Sequence, residues 1–490
     1  MGIENDFLRE INNSLIFNDM FNAKKFVEQH KNYLKFCNPL GGWFIYNGQI
    51  WERDESSEIL NYAEKTYESL IGVPINEMDE TAKKRWKTHI KATGNERNIK
   101  SLINLSKMKL SVKKKMFDND NYLICLKNGI YDLKNFKLFP FSPEHMFTMQ
   151  SNFSYNPAAT CPNWERFLKI VFINDEKMIK YIQKCLGYCL TGDISRQMFF
   201  IMKGGGQNGK STLLQTILYG MGDYGTTLDS ESIIKKFHDE GIRNDLACLN
   251  KKRFIPISEL DKSKELHISL VKKMTTLTPM KVRFLRKEFF EMMPTFKMFL
   301  ETNPLPTIKG EDKGTWRRLR RVDFDYSFDD SNSIQDYQQQ YLNPEIDGIF
   351  NWLIEGLKAL TEEGEQMPEK VQIANQEYKD DENLLTDFFD ECCARDDNTY
   401  ILCSDFHKYY KNINIFDKEK YVVGKKNIPS ALAGLGIKKM RINVREEDNN
   451  HGKHAYFGFR CTREIIGKKD WEDSILIPST YSINGNIDWD

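Results

Sequence analysis

A chain of 490 residues, 40% hydrophobic and 29% charged, has the balance of ordinary globular domains and the length for two to four of them. Its 70 basic and 70 acidic residues cancel, so any grip on a polyanion has to be local. No apolar run approaches the roughly 20 residues of a bilayer span, the N-terminal MGIENDFLREINNS lacks the order of a secretion signal, and the ten cysteines form no disulfide framework, which together predict a protein of the cytoplasm with no membrane partner.

Residues 1–36 read as helical. Residues 42–52 read as a hairpin, two aromatic-rich runs around Asn47-Gly48, a type I′ turn signal. Residues 56–116 read as helices with basic faces: Lys83, Lys84, Arg85, Lys87, Lys91, Arg97, Lys100, Lys107, Lys109 and Lys113 to Lys115 have few acids between them. Such a stretch suits phosphate contact, and a solvated helix face is the plain alternative. Apolar–polar alternation over 121–139 around Asn128-Gly129 predicts short strands.

From 163 to 190 the spacing is helical, with Trp164, Phe167, Leu168, Val171 and Phe172 on one side, until Gly192-Asp193 breaks it. Apolar strands are predicted at 198–202, 253–258 and 296–302 with helices between them, which argues for a parallel α/β core. Beyond 340 the pattern turns helical, and the last hundred residues read as a separate small module. A helix at 428–435, then strands at 438–445 and 454–461 around Asp448-Asn449-Asn450, give the outline of a winged helix. Cys392, Cys393, Cys403 and His407 contain no Cys-x-x-Cys pair and read as buried or free thiols rather than a zinc site.

The strongest local signal is Gly204, Gly205, Gly206, Gln207, Asn208, Gly209, Lys210, Ser211 and Thr212, which fits G-x-x-x-x-G-K-[ST] directly after an apolar strand and before an apolar-periodic helix. A nucleoside triphosphate needs several donors converging on its phosphate oxygens. Glycines let successive backbone N–H groups turn inward, and the following helix aims its positive end at the same place. Lys210 would then neutralise the β and γ phosphates of ATP and Ser211 would hold Mg²⁺. The strand at 253–258 is expected beside the loop strand, with Glu259 at its end to polarise water. Asn303, at the tip of the 296–302 strand, could bond the lytic water or the γ phosphate. Trp316-Arg317-Arg318-Leu319-Arg320-Arg321 supplies guanidinium groups, of which one could reach a neighbouring subunit's phosphates.

These motifs, with 257–259, 294–306, 314–319, the lead-in at 126–168 and 349–357, resemble superfamily 3 helicases, in the branch of the phage, plasmid and poxvirus primase–helicases. The resemblance implies an AAA+-like P-loop ATPase core at 146–365, an α+β collar or lead-in domain at 1–145, and a winged-helix-like domain at 366–490. It implies a homo-hexameric ring that hydrolyses ATP with Mg²⁺ and moves along single-stranded or forked DNA in a bacterial host, encoded by a mobile element. Carried over by position, 204–212 are the Walker A loop, Glu259 is the Walker B acid and, with Ser211, the metal residue, and Asn303 is the sensor. Arg318 or Arg317 is the arginine finger, Arg318 favoured because it directly precedes the leucine. A hairpin between the second and third core strands would carry a basic tip at Arg286-Lys287, with Arg283 just before it, for phosphate contacts in the channel.

Ser258 stands where many such motors have a second acid, which leaves the metal to Ser211, phosphates and water. Thr278-Pro279-Met280 replaces a glycine- and aspartate-containing turn of the family. Asp118-Asn119-Asp120 reads as a turn rather than a metal-holding acidic pair, so the chain is expected to lack a primase. The C-terminal module, with Lys438, Lys439, Arg441 and Arg445, has two readings, duplex origin DNA or a separate primase or loader. The alternative to a motor is an ATP-gated origin-binding switch that does not unwind.

Overall fold

The computed structural model describes residues 17–76, 78–235, 243–258, 264–308, 313–329, 334–416, 428, 429, 432, 437–441, 454–462, 481 and 482. The chain divides into two compact units, Met1–Ser154 and Tyr155–Asp490.

The first unit mixes helices with two small antiparallel sheets. Helix α1 (Asp19–His30) is capped by the Asn18 side chain, and β1 (Leu34–Cys37), β2 (Gly42–Tyr46) and β3 (Trp51–Arg53) form one sheet in that order. Of the expected helix over 1–36, the described part is therefore helical only to His30, and Leu34–Cys37 is a strand because it finds a partner in β2. The 42–52 hairpin is present, but its turn differs from the expected two-residue type I′. Only Gly48 is left-handed, and the Asn47 side chain accepts the N–H groups of Gln49 and Ile50, which spreads the turn over four residues. Helices α2 (Ile59–Ile71), α3 (Glu80–Thr93) and α4 (Glu96–Leu110) follow. In α4, Leu102, Ile103 and Leu110 turn inward onto Phe26, Leu34 and Trp43 while Arg97, Lys100 and Lys109 stay exposed. Strands β4 (Leu123–Leu126), β5 (Gly129–Asp132) and β6 (Lys137–Phe139) make the second sheet.

In the second unit the expected helix over 163–190 is two helices, α5 (Pro162–Val171) and α6 (Glu176–Tyr188), because Ile173 and Asn174 take left-handed backbone between them. Strand β7 (Phe199–Lys203) leads through the glycine loop into α7 (Lys210–Met221). Then come α8 (Asn244–Ala247), β8 (Phe254–Ile257), α9 (Ile268–Met274), the β9 (Met280–Val282) and β10 (Phe290–Met292) hairpin, β11 (Lys297–Thr302), α10 (Lys313–Trp316) and β12 (Leu319–Asp323). The core sheet is parallel, in the order β12-β7-β11-β8.

This order corrects one expectation: the 253–258 strand does not lie beside the loop strand, because β11 runs between them. The chemistry of the two strands explains the exchange. β11 is almost wholly buried, and Phe299 stacks on Phe200 of β7 at 4.4 Å. β8 contains Pro256, which has no N–H to donate and fits better toward an edge. Two buried cations tie the N-terminal ends of β8 and β11 to the chain leaving α6. Arg253 donates to the Leu190 carbonyl, and Lys297 Nζ donates to Thr191 O at 2.5 Å and Asp193 O at 3.1 Å.

Beyond the sheet, α11 (Ile346–Glu363) crosses α6 so closely that a Cβ on Gly187 would lie 2.3 Å from the Leu353 carbonyl oxygen. Helix α12 (Glu369–Cys392) leads to β13 (Cys393–Leu402), α13 (Cys403–Phe416), β14 (Lys438–Arg441), β15 (His454–Cys461) and β16 (Tyr481–Ser482), an antiparallel sheet in the order β14-β15-β13-β16. β14 and β15 pair where two strands were expected, and β13 has no counterpart in the sequence reading. Most of the expected 428–435 helix, the turn at 448–450 and Arg445 lie outside the described residues.

Candidate active site

The glycine loop leaves the C-terminal end of β7, a central strand buried on both faces, so its position is set by the sheet. Gly204 N donates to Thr302 O of β11 at 3.2 Å, and Phe324 N, just past β12, donates to Lys203 O at 2.8 Å. Gly209 precedes α7 with φ +82°, and a Cβ there would meet Val171 Cγ2 at 2.8 Å and Phe167 at 3.1 Å. At Gly205 and Gly206 a Cβ would meet nothing within 4 Å. Asn208 is buried and donates to Gly205 O, which closes the loop on itself. Lys210 is buried too, and its Nζ donates to Gly204 O at 2.7 Å, Gly205 O at 3.2 Å and Asn208 Oδ1 at 3.0 Å. The ammonium therefore sits over the loop, close to the N-terminal end of a twelve-residue helix.

Ser211, in the first turn of α7, donates its hydroxyl to Glu301 Oε2 at 2.5 Å. Glu301 was not singled out by sequence reasoning. Its register position opposite Met202 of β7 brings it to the loop, and the sequence does not reveal which strand neighbours β7. A hydroxyl and a carboxylate form a hard-oxygen pair of the kind Mg²⁺ accepts together with phosphates and water. Asn303 is exposed immediately past Thr302, the residue whose carbonyl meets Gly204. Glu259 lies outside the described residues, and Ser258 just before it uses its hydroxyl to accept Ser230 N at 3.0 Å.

A cavity of about 390 Å³ opens beside the loop. Phe167, Ile170, Phe328, Ile334, Tyr337 and Tyr341 line it together with Gln207, Gly209 and Thr212. The Tyr337 and Tyr341 rings are 5.1 Å apart, and Phe328 N donates to Gln207 O at 2.7 Å, so the far wall is attached to the loop. Phe328, Tyr337 and Tyr341 were also missed, since they come from a segment more than a hundred residues beyond the loop with no motif of its own.

The four arginines at 317–321 part company in the fold. Arg320 is buried against Glu365, and Arg321 donates to Asp323 at 2.6 Å and to Ala374 O at 3.1 Å. Arg318, the favoured finger, is buried and turned inward onto Gly314 O and Thr276 Oγ1. Burial lowers its pKa, with adjacent Arg317 adding to the effect. Arg317 is exposed and reaches Gln197 at 2.9 Å. Leu319 pairs with Phe199, so Arg317 stands at the N-terminal end of β7, at least four residues or roughly 13 Å of strand away from the loop. Arg286 and Lys287 occupy the exposed turn between β9 and β10, closed by Lys287 N donating to Phe284 O at 3.0 Å, with Arg286 left-handed at φ +59°. Arg283 lies over the Phe289 ring, 4.4 Å from its centroid, and Leu285 and Phe289 are each 60% exposed.

Two family models match the chain, D5 N terminal like over residues 18–173 and a family of unknown function, DUF5906, over 202–321. A provisionally named helicase of Acanthamoeba polyphaga mimivirus is 29% identical over 329 residues, 62% of this chain and 34% of the relative. Another, of Invertebrate iridescent virus 6, is 24% identical over 504 residues, 82% of this chain and 51% of the relative. The chain is similar to the superfamily 3 primase–helicases. It spans about a third to about a half of the length of these curated relatives. The apo structure of the NrS-1 C-terminal region covers 90% of the chain and 99% of its own length at 11% identity, with a TM-score of 0.43. Among the described residues no helix is long and apolar enough to cross a membrane.

Proposed function

We propose that this chain is the ATP-driven motor of a replicative DNA helicase, with an AAA+-like P-loop core assembled into a homo-hexameric ring on single-stranded DNA. The provisional helicase names of its viral relatives support the reading, and its role is in the replication of a virus or other mobile element. The loop 204–212 takes the phosphates of ATP, Lys210 their charge and Ser211 the Mg²⁺. The aromatic cavity at Tyr337 and Tyr341 takes the base, Glu259 polarises water, and Asn303 senses the γ phosphate.

One observation carries the assembly. Arg317 is the exposed guanidinium of its cluster, and it sits at the opposite end of β7 from its own loop. It cannot stabilise phosphoryl transfer in its own chain, so the site is completed by a neighbour, and Arg317 rather than Arg318 is the finger. The β9–β10 tip, with Arg286, Lys287 and Arg283, contacts DNA phosphates, which allows stepping without sequence preference. Residues 1–145 act as a collar and 366–490 dock origin DNA or a primase or loader. The test is ATP hydrolysis and forked-duplex unwinding by the purified chain. Hydrolysis stimulated by single-stranded DNA and abolished in Lys210→Ala is expected. Slow turnover with tight duplex binding and no strand separation would instead identify an origin-binding switch.

A further inference from the structure

Because β11 and not β8 lies beside β7, the carboxylate next to the magnesium hydroxyl is one that the motif order does not name. Glu301 pairs with Met202, the penultimate residue of β7, and receives the Ser211 hydroxyl at 2.5 Å. Ser258, where a second acid would be sought, follows β8 on the far side of β11, and its hydroxyl accepts Ser230 N. The proton that Ser211 donates to Glu301 leaves the hydroxyl lone pairs for a cation and fixes their direction.

The placement also brings two anionic groups to one end of the sheet, a repulsion that a divalent cation between them would relieve. A carboxylate touching the first turn of α7 is favourable to the helix by itself. It stands, however, beside the loop that gathers phosphate, and two anions at close range repel. We propose that Glu301 is the acid that holds the nucleotide's Mg²⁺ with Ser211, on the strand next to the loop rather than on the strand of Glu259. This rests on the nucleotide reading above. A structural Ser–Glu contact makes no distinction between nucleotide with and without metal, whereas a metal-holding carboxylate reverses its effect between the two.

The experiment is titration of the full chain with a fluorescent ADP analogue, in chelator and in excess Mg²⁺, together with Mn²⁺ binding by electron paramagnetic resonance. In Glu301→Gln the metal-free affinity is expected to rise, on the order of tenfold as one repelling charge is removed, while the gain on adding Mg²⁺ and the nucleotide-dependent Mn²⁺ signal are lost. Glu301→Asp, which keeps the charge, is expected to retain the Mg²⁺ gain and serves as the folding control. If Glu301→Gln keeps the full Mg²⁺ gain, or weakens binding equally with and without metal, the assignment fails while the nucleotide site stands. If the unaltered chain binds the analogue in neither condition, both readings fall.

Discussion

Gly209→Ala is the sharpest test of the loop geometry. The residue has φ +82°, a conformation that costs an L-residue roughly 1–2 kcal/mol. The new methyl would lie 2.8 Å from Val171 Cγ2 and 3.1 Å from Phe167, both buried side chains of α5 with little room to retreat. Such overpacking typically adds about 1–3 kcal/mol, for a total of about 2–5 kcal/mol. Gly205 and Gly206 belong to the same motif, yet a Cβ on either meets open space and neither has positive φ. Their alanine variants are expected within about 0.5 kcal/mol of the parent. Thermal unfolding followed by fluorescence should place Gly209→Ala roughly 5 °C or more below the parent, with Gly205→Ala and Gly206→Ala close to it. Equal losses at all three positions would refute the reasoning, since the motif alone treats its glycines alike.

Arg317→Ala should lower DNA-stimulated ATP hydrolysis by about a thousandfold, and mixing it with Lys210→Ala copies should restore part of the rate, because each copy supplies what the other lacks. Arg318→Ala should chiefly lower thermal stability, and a larger catalytic loss there than at Arg317 would reverse the assignment. Replacing both Arg286 and Lys287 by alanine should weaken single-stranded DNA binding and flatten the log affinity–log salt slope by about 1.4, two phosphate contacts' worth; an unchanged slope in an equilibrium titration would take the hairpin out of the DNA path. Burial pushes the Lys297 ammonium down to about 7. The folded chain therefore holds fewer protons than the unfolded one between about pH 7 and the ordinary lysine range, and stability from this group rises with pH across that window. Urea unfolding of Lys297→Met from pH 7 to pH 10 should show a shallower rise than the parent, and an identical rise would place the proton elsewhere.

Much of the local architecture was legible in the residues. β7, the glycine loop and α7 follow from an apolar run, a phosphate motif and helical spacing that agree within a few residues. Strands at 123–132 and the pair at 438–441 and 454–461 also stand where short-range pattern indicates, and the hairpin turn at Arg286-Lys287 stands where the family resemblance implies it. Where the reading slipped, a distant partner had overridden local preference. Leu34–Cys37 became a strand because β2 was there to pair with it, and Ile173 and Asn174 split a continuous helical pattern.

The residues by themselves determined the composition of the site: a cation, a hydroxyl and glycines at the spacing a triphosphate requires, with a run of arginines farther along the chain. Only the tertiary structure decided which of them meet. Strand order is a long-range choice, with β11 in the middle of the sheet and proline-bearing β8 outside it, and that choice brings Glu301 to Ser211. Within the arginine run the family pattern favoured Arg318, whereas packing turned three of the four onto interior partners, Arg318 among them, and left Arg317 at the surface. Sequence spacing measures separation along one chain, whereas catalysis depends on distances across a sheet, and these are set by which faces the core has to bury.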